Sequence, residues 1–260
     1  MPDLASPGFA NLDWSAILPF VAIGFAAQLV DGALGMAFGV VCNVLLVAVL
    51  GLPPARSSAN IHIVEVFTTA ASGISHALAG NIDRALFLRL LLPGIAGGVT
   101  GAYVLINLDG ETVKPYILGY LVLIGVYLLV RGILFPPKPA KPKVVEPLAL
   151  VGGFLDAVGG GGWGPVVTSN LLVQGVEPRR VIGTVSAVEF FLTVTVSATF
   201  IYHLGMQAFA LATVGLIIGG VAAAPFGAVI ARRVSTKALL ILVGVVLIAT
   251  SVYGFVRAVL

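Results

Sequence analysis

Leu155 to Asn170 reads LDAVGGGGWGPVVTSN, an apolar run broken by glycines at 159 to 162 and at 164. Glycine leaves backbone N–H groups uncovered, and Pro165 suits the first turn of a helix whose N-terminus then points back at the turn. Bare amides at the positive end of a helix dipole suit a small anion. The candidate ligands are Gly160, Gly161, Gly162, Trp163 and Gly164, with side-chain hydrogen bonds from Thr168, Ser169 and Asn170. The device occurs twice. Setting Asp31 beside Asp156 aligns Gly35 with Gly160, Phe38 with Trp163 and Gly39 with Gly164, so Asp31 to Asn43, DGALGMAFGVVCN, adds Gly35, Gly39 and Asn43 to the set. The plainer alternative is that the glycines serve tight turning and close helix packing alone.

Glu65 and Glu189 occupy equivalent places inside apolar segments, where a bare carboxylate is costly, so both should face the interior. His62 precedes Glu65 by three residues on one helical face, and Ser186 takes that place before Glu189. Either these groups take up and release a proton or gate movement, or each glutamate braces a broken hairpin without changing charge. Asp31 and Asp156 stand just before the glycine turns, where aspartate commonly caps an exposed amide. Capping is the expected role for both, ahead of substrate or proton handling. His76 and His203 lie near segment ends and read as interfacial, and Cys42 reads as a small packing residue. No metal-ligand spacing, cofactor or ATP-binding motif, or nucleophile and base pair is visible, so an enzyme is not expected.

The elements that must position these residues follow from composition. Hydrophobic residues fill 59% of 260 positions, charged residues 10%, and the mean hydropathy is +1.10, values that a water-soluble domain of this length could not carry. Apolar runs of 20 or more residues fit helices crossing a roughly 30 Å hydrocarbon core, and a β-barrel would show shorter alternating segments. The fold class is an all-α polytopic membrane protein. No basic residue precedes Arg56 and no cleavage pattern follows the first apolar stretch, so that stretch is expected in the mature protein. The net charge of +3 reads as loop basicity, with no nucleic-acid patch.

Residues 14–135 form a first transmembrane repeat, 136–146 (PPKPAKPKVVE) a basic proline and lysine linker, and 147–260 a second repeat. Leu18 to Leu50 is too long for one span and too short for two, so splitting it at Asp31 to Gly39 gives a re-entrant hairpin or discontinuous helix with arms of half-membrane length. Single spans follow near 58–79, 86–106 and 116–135. The second half repeats the plan, with a broken segment at Pro147 to Gly175 and spans near 182–204, 209–230 and 238–259. Pro54 and Pro178, Arg56 and Arg180, and Glu65 and Glu189 correspond within one residue of a constant offset.

Charge tests whether the broken segments cross, because short-loop Lys and Arg gather on the cytoplasmic side. If the second broken segment returns to its own side, Arg84, Arg89, Arg131, the linker lysines, Arg179, Arg180, Arg232, Arg233 and Lys237 share one face, and only Arg56, Lys114 and Arg257 the other. If every segment crosses, the bias disappears. Pro147 to Gly175 is therefore expected to be re-entrant and the linker cytoplasmic. By internal homology the first broken segment is also re-entrant, which leaves three spans per half, inverts the halves and puts both termini on the periplasmic side. Gly94, Gly97, Gly98 and Gly101, with Gly215, Gly219, Gly220 and Ala223, form stripes for close helix contact, within the chain or across a homodimer.

The two broken segments, GFAAQLVDGALGMAFGV and GGFLDAVGGGGWGPVVTSNLL, resemble the paired signature of the TauE/SafE family of sulfite-exporter-type membrane proteins. The resemblance runs from about Phe20 to Arg257 and includes the proline and arginine after each hairpin. It implies transport of sulfite or organosulfonates such as sulfoacetate across a bacterial inner membrane. From the residues alone, the expectation is a secondary transporter of a small anion, whose partners are that substrate and the bilayer. The alternatives are a proton-coupled divalent-metal carrier using His62, Glu65 and Glu189, a carrier of another small anion, or a non-transporting membrane subunit.

Overall fold

The computed structural model of the protein describes residues 14–34, 36–134, 142–174, 176–206, 210–233 and 236–259. The described elements are helical: α1 (Trp14–Leu34), α2 (Phe38–Val44) running into a π-helical turn at Leu45–Val49, α3 (Pro54–Leu78), α4 (Arg84–Asn107) and α5 (Gly110–Ile133). The second half follows with α6 (Glu146–Gly159), a π-helical turn at Trp163–Thr168 leading into α7 (Ser169–Val173), then α8 (Pro178–Leu204), α9 (Ala210–Arg233) and α10 (Thr236–Val259). Most of the linker, residues 135–141, lies outside the described residues.

The helix boundaries have local causes. Asp83 caps α4, its Oδ1 accepting from the amides of Ala85 and Leu86 at 3.0 and 3.1 Å. Asp109 caps α5 through the Thr112 amide at 2.9 Å, and the hydroxyl and amide of Thr112 hold its carboxyl below the ordinary aspartate value. Proline opens both α3 and α8 in the first turn, where its missing N–H costs nothing. Arg84–Asn107, Gly110–Arg131 and Arg180–Leu204 are long and apolar enough to cross a membrane by themselves. At 25 residues α3 has the length, but buried Ser57, Ser58, Asn60, His62 and Glu65 lower its apolarity.

Packing follows one rule in both halves. The first arm of each half lies along the second full span of the other, α1 on α9 and α6 on α4, while α3 pairs with α8 and α5 with α10. The glycine stripes are the seats for these arms. A Cβ on Gly101 would come 2.5 Å from the Phe154 carbonyl oxygen in α6, and one on Gly219 would come 2.7 Å from the Phe25 amide nitrogen in α1. Both stripes are thus occupied within the chain, where backbone approach replaces side-chain interlocking.

The second broken segment leaves by the face it enters. Gln174, just past α7, accepts from the amides of Lys143 and Val144 at 2.8 and 3.3 Å, so the two ends of the segment meet. The same face carries the α3–α4 turn, whose Asp83 amide donates to Thr184 Oγ1 at 2.9 Å, and the Arg89–Glu146 pair, with N to O distances of 2.5 and 3.0 Å. At the opposite face the α4–α5 turn lies beside Pro53 and Pro54, and Tyr103 meets His203 edge to face at 5.9 Å. In the first broken segment the arms are unequal. The 21 residues of α1 begin at Trp14, ahead of Leu18, and extend about 31 Å at helical rise, against seven residues of α2 and five of π-helix in the return arm.

Candidate functional site

The two glycine-broken tips meet in the middle of the bundle. Gly161 has a φ of 140°, a left-handed conformation that L side chains rarely adopt, and its Cα lies against the backbone of Gly39. On the side away from the linker, one buried polar contact joins the tips to each other and two bind them to α3. Asn43 Nδ2 donates to the Gly159 carbonyl, Ser57 Oγ to Asn43 Oδ1 at 2.5 Å, and Ser58 Oγ to the Ala157 carbonyl at 2.6 Å.

Asp156 organises the second tip. Its Oδ1 accepts from the amides of Gly162 and Trp163 at 2.7 and 2.9 Å, and its Oδ2 lies 3.1 Å from His62 Nε2. Two of the loop amides expected to be open for an anion are therefore held by the protein's own carboxylate. Asp31 does the same more loosely in the first tip, accepting from the Phe38 amide at 3.3 Å. The other nitrogen of His62, Nδ1, lies 2.8 Å from the Ser58 carbonyl oxygen, which can only accept. Both ring nitrogens of His62 thus face oxygens of the protein, one a carboxylate and one a backbone carbonyl.

A cavity of about 460 Å³ opens beside the tips. Its wall contains Gln28, Asp31, Met36 to Val40, Glu65, Thr68, Thr69, Ser72, His76, Asp156, Gly161, Gly162, Gly164, Pro165, Ile182, Ser186 and Glu189. Along α3 the lining runs from Glu65 to His76, and along α8 from Glu189 back to Ile182. Both directions lead toward the face that carries the α3–α4 turn and the start of α8. No Lys or Arg stands among these residues, while four carboxylates do.

Of the residues singled out from the sequence, Gly39, Gly161, Gly162, Gly164, Asp31, Asp156, Glu65 and Glu189 come together on this wall. The other candidate ligands stand elsewhere. Trp163 is fully buried, donating from Nε1 to the Val185 carbonyl at 3.2 Å, with its ring over Gly94. Asn43 braces the tips, and Gly160, with a φ of 61°, packs against Asn43. Thr168 is buried, Ser169 Oγ faces Met36 Sδ at 3.5 Å, and Asn170 donates to the Val166 carbonyl at 2.7 Å within its own helix. His62 stands one shell back, behind Asp156. Gly35 lies outside the described residues.

Sequence reasoning missed Gln28, Thr68, Thr69, Ser72 and the cavity position of His76, which it read as interfacial. The signal was present. Thr68, Thr69, Ser72 and His76 follow Glu65 at steps of three, four, seven and eleven, a polar stripe on one face of an otherwise apolar helix. Gln28 precedes Asp31 by three residues, one turn away on the same face.

With this geometry in place, the comparisons with known proteins become specific. The family described as Sulfite exporter TauE/SafE matches residues 20–254, taking in both broken segments and the described spans between them. The probable membrane transporter protein YtnM of Bacillus subtilis (strain 168) is 43% identical over 238 residues, covering 88% of this chain and 79% of its own length. No solved structure matches. The paired glycine-broken segments and a family match over nearly the whole chain place this protein in the TauE/SafE sulfite exporter family of membrane transport proteins.

Proposed function

We propose that the protein is a secondary transporter of small sulfur-containing anions, sulfite or organosulfonates such as sulfoacetate, in a bacterial inner membrane. The observation that carries the reading is the contact of two glycine-broken tips at the head of a cavity set between α3 and α8. A broken element from each half meeting at mid-bundle is how inverted-repeat carriers build a substrate site. The reciprocal packing of α1 on α9 and α6 on α4 supports an inverted arrangement of the halves.

The anion lies against the tips, with Glu65 and Glu189 coupling or gating its movement and the His62–Asp156 pair holding the second tip in shape. Loop basicity supports a cytoplasmic linker face, so the cavity as described represents the state open toward the cytoplasm. The contacts of Asn43, Ser57 and Ser58 then close the periplasmic side. A divalent-metal reading draws less support: among the described residues, no three His, Cys, Asp or Glu side chains are placed to hold a metal ion.

The test is uptake of radiolabelled sulfite and sulfoacetate into proteoliposomes of the purified protein, with and without an imposed pH gradient. Saturable uptake that the gradient alters is the expected result. Absence of uptake for every sulfur anion, with correct reconstitution verified, removes the substrate class.

A further inference from the structure

We infer that the cavity binds a positively charged ammonium group beside the anion, so that the preferred substrate is a zwitterion, a sulfur-containing acid carrying its own amine. The inference rests on the transport reading and narrows its substrate class. Asp31, Glu65, Asp156 and Glu189 line one cavity whose basic lining side chain is His76 at its linker-side end, with Nδ1 turned to Asn81 Nδ2 at 3.1 Å. His62 Nε2 faces Asp156 from behind, and the Phe38 amide serves Asp31. Among the described residues, no lysine or arginine in the cavity wall stands with Glu65 and Glu189. A free anion entering here alone meets like charge at short range in a poorly screened space.

Two further atoms point to what compensates. Glu65 and Gln28 are 5% and 9% exposed, both line the cavity, and Glu65 Oε2 and Gln28 Oε1 each lack a hydrogen-bond donor. A buried acceptor left without a donor is costly, and two beside one cavity call for a ligand that donates. They flank the same tip: a Cβ on Gly39 would meet Glu65 Oε1 at 3.0 Å, and one on Gly220 would lie between Gln28 Oε1 at 3.8 Å and the ring of the adjoining Phe38 at 3.9 Å. A proton on Glu65 would serve the carboxyl and leave the Gln28 carbonyl unserved. An ammonium brings three donors and a positive charge, matching both acceptors and the surplus of carboxylates. A dehydrated metal ion needs more oxygens, and no three acidic or histidine side chains among the described residues are placed to supply them.

The experiment is competition in proteoliposomes at fixed pH and clamped potential, with 2-aminoethanesulfonate, its N-acetylated form and ethanesulfonate as probes, each in sodium and in choline buffer. The expected result is that the free amine strengthens competition at least on the order of tenfold over both analogues, in either buffer. Gln28→Leu should erase that preference while ethanesulfonate still competes; elution of the variant as intact, monodisperse protein controls for folding. Equal competition by all three probes on the wild-type protein overturns the inference and leaves sulfonate transport standing. Strong ethanesulfonate transport that needs sodium also overturns it, in favour of a separate cation. If no sulfonate moves or competes, the transport reading and this inference fall together.

Discussion

A Cβ on Gly39 would lie 2.6 Å from the Cα of Gly161 and 2.7 Å from the Gly160 carbonyl oxygen, so the tips of the two broken segments touch backbone to backbone. No real Cβ contact is that short, and the neighbours are main chain, which cannot turn aside as a side chain can. Gly161 adds its left-handed φ. The cavity's head is therefore built from the absence of side chains.

Replacing either glycine should uncouple insertion from function. Gly39→Ala and Gly161→Val are each expected to lower stability by about 1–3 kcal/mol and to abolish uptake, with membrane insertion retained because the spans are untouched. Thermal unfolding followed by size exclusion, alongside flux, checks this. Wild-type flux in Gly161→Val would mean that the tip contact is irrelevant to transport.

Asp156 should be irreplaceable by alanine and tolerably replaced by asparagine. Alanine strands the Gly162 and Trp163 amides in a buried site, at about 1–3 kcal/mol for each unsatisfied group. Asparagine keeps an oxygen for those amides and loses the charge opposite His62. The expected order of melting temperature is wild type, Asp156→Asn, Asp156→Ala. Equal melting of the two variants would show that the amides find water or another acceptor.

Periodicity and punctuation made much of this architecture legible. The spans near 86–106 and 182–204 sit inside α4 and α8 because uninterrupted apolar runs can do little else in a bilayer. The charge count put the linker and the start of α8 on one face, where the Gln174 and Thr184 contacts now join them. The site was harder to read. Glycine signals uncovered amides, but whether an amide is free depends on a side-chain rotamer, and Asp156 reaches forward to the amides of Gly162 and Trp163 and takes both. Trp163 reads as a ligand together with the glycines around it; its indole instead fills the space over Gly94, a contact with a distant helix that local pattern cannot encode.

Ala37 aligns with Gly162 and holds a φ of 103°, a left-handed backbone that a Cβ disfavours. Ala37→Gly should relieve that strain, raising stability by about 1 kcal/mol after the entropy of the added glycine is set against it. A rise in melting temperature with unchanged insertion is the expected outcome. A fall would mean that the Ala37 methyl, which lines the cavity, contributes more packing than its backbone costs in strain.

The side from which the cavity is reached can be read with thiols, since the chain's one cysteine, Cys42, is fully buried and lies off the wall. On a Cys42→Ala background, Ser72→Cys and Ser186→Cys occupy the two walls between the carboxylates and the face bearing Lys143. Both should react with a membrane-impermeant maleimide from the side that labels Lys143→Cys, and a bound sulfonate should slow them. Ser58→Cys, buried where α3 grips the second tip, should react from neither side. The contrast between these positions discriminates a carrier resting open to the linker face from a continuous pore, because a pore would admit the reagent to Ser72→Cys from both sides. Labelling of Ser72→Cys from the opposite face alone would reverse the assigned opening and with it the gating role given to Asn43, Ser57 and Ser58.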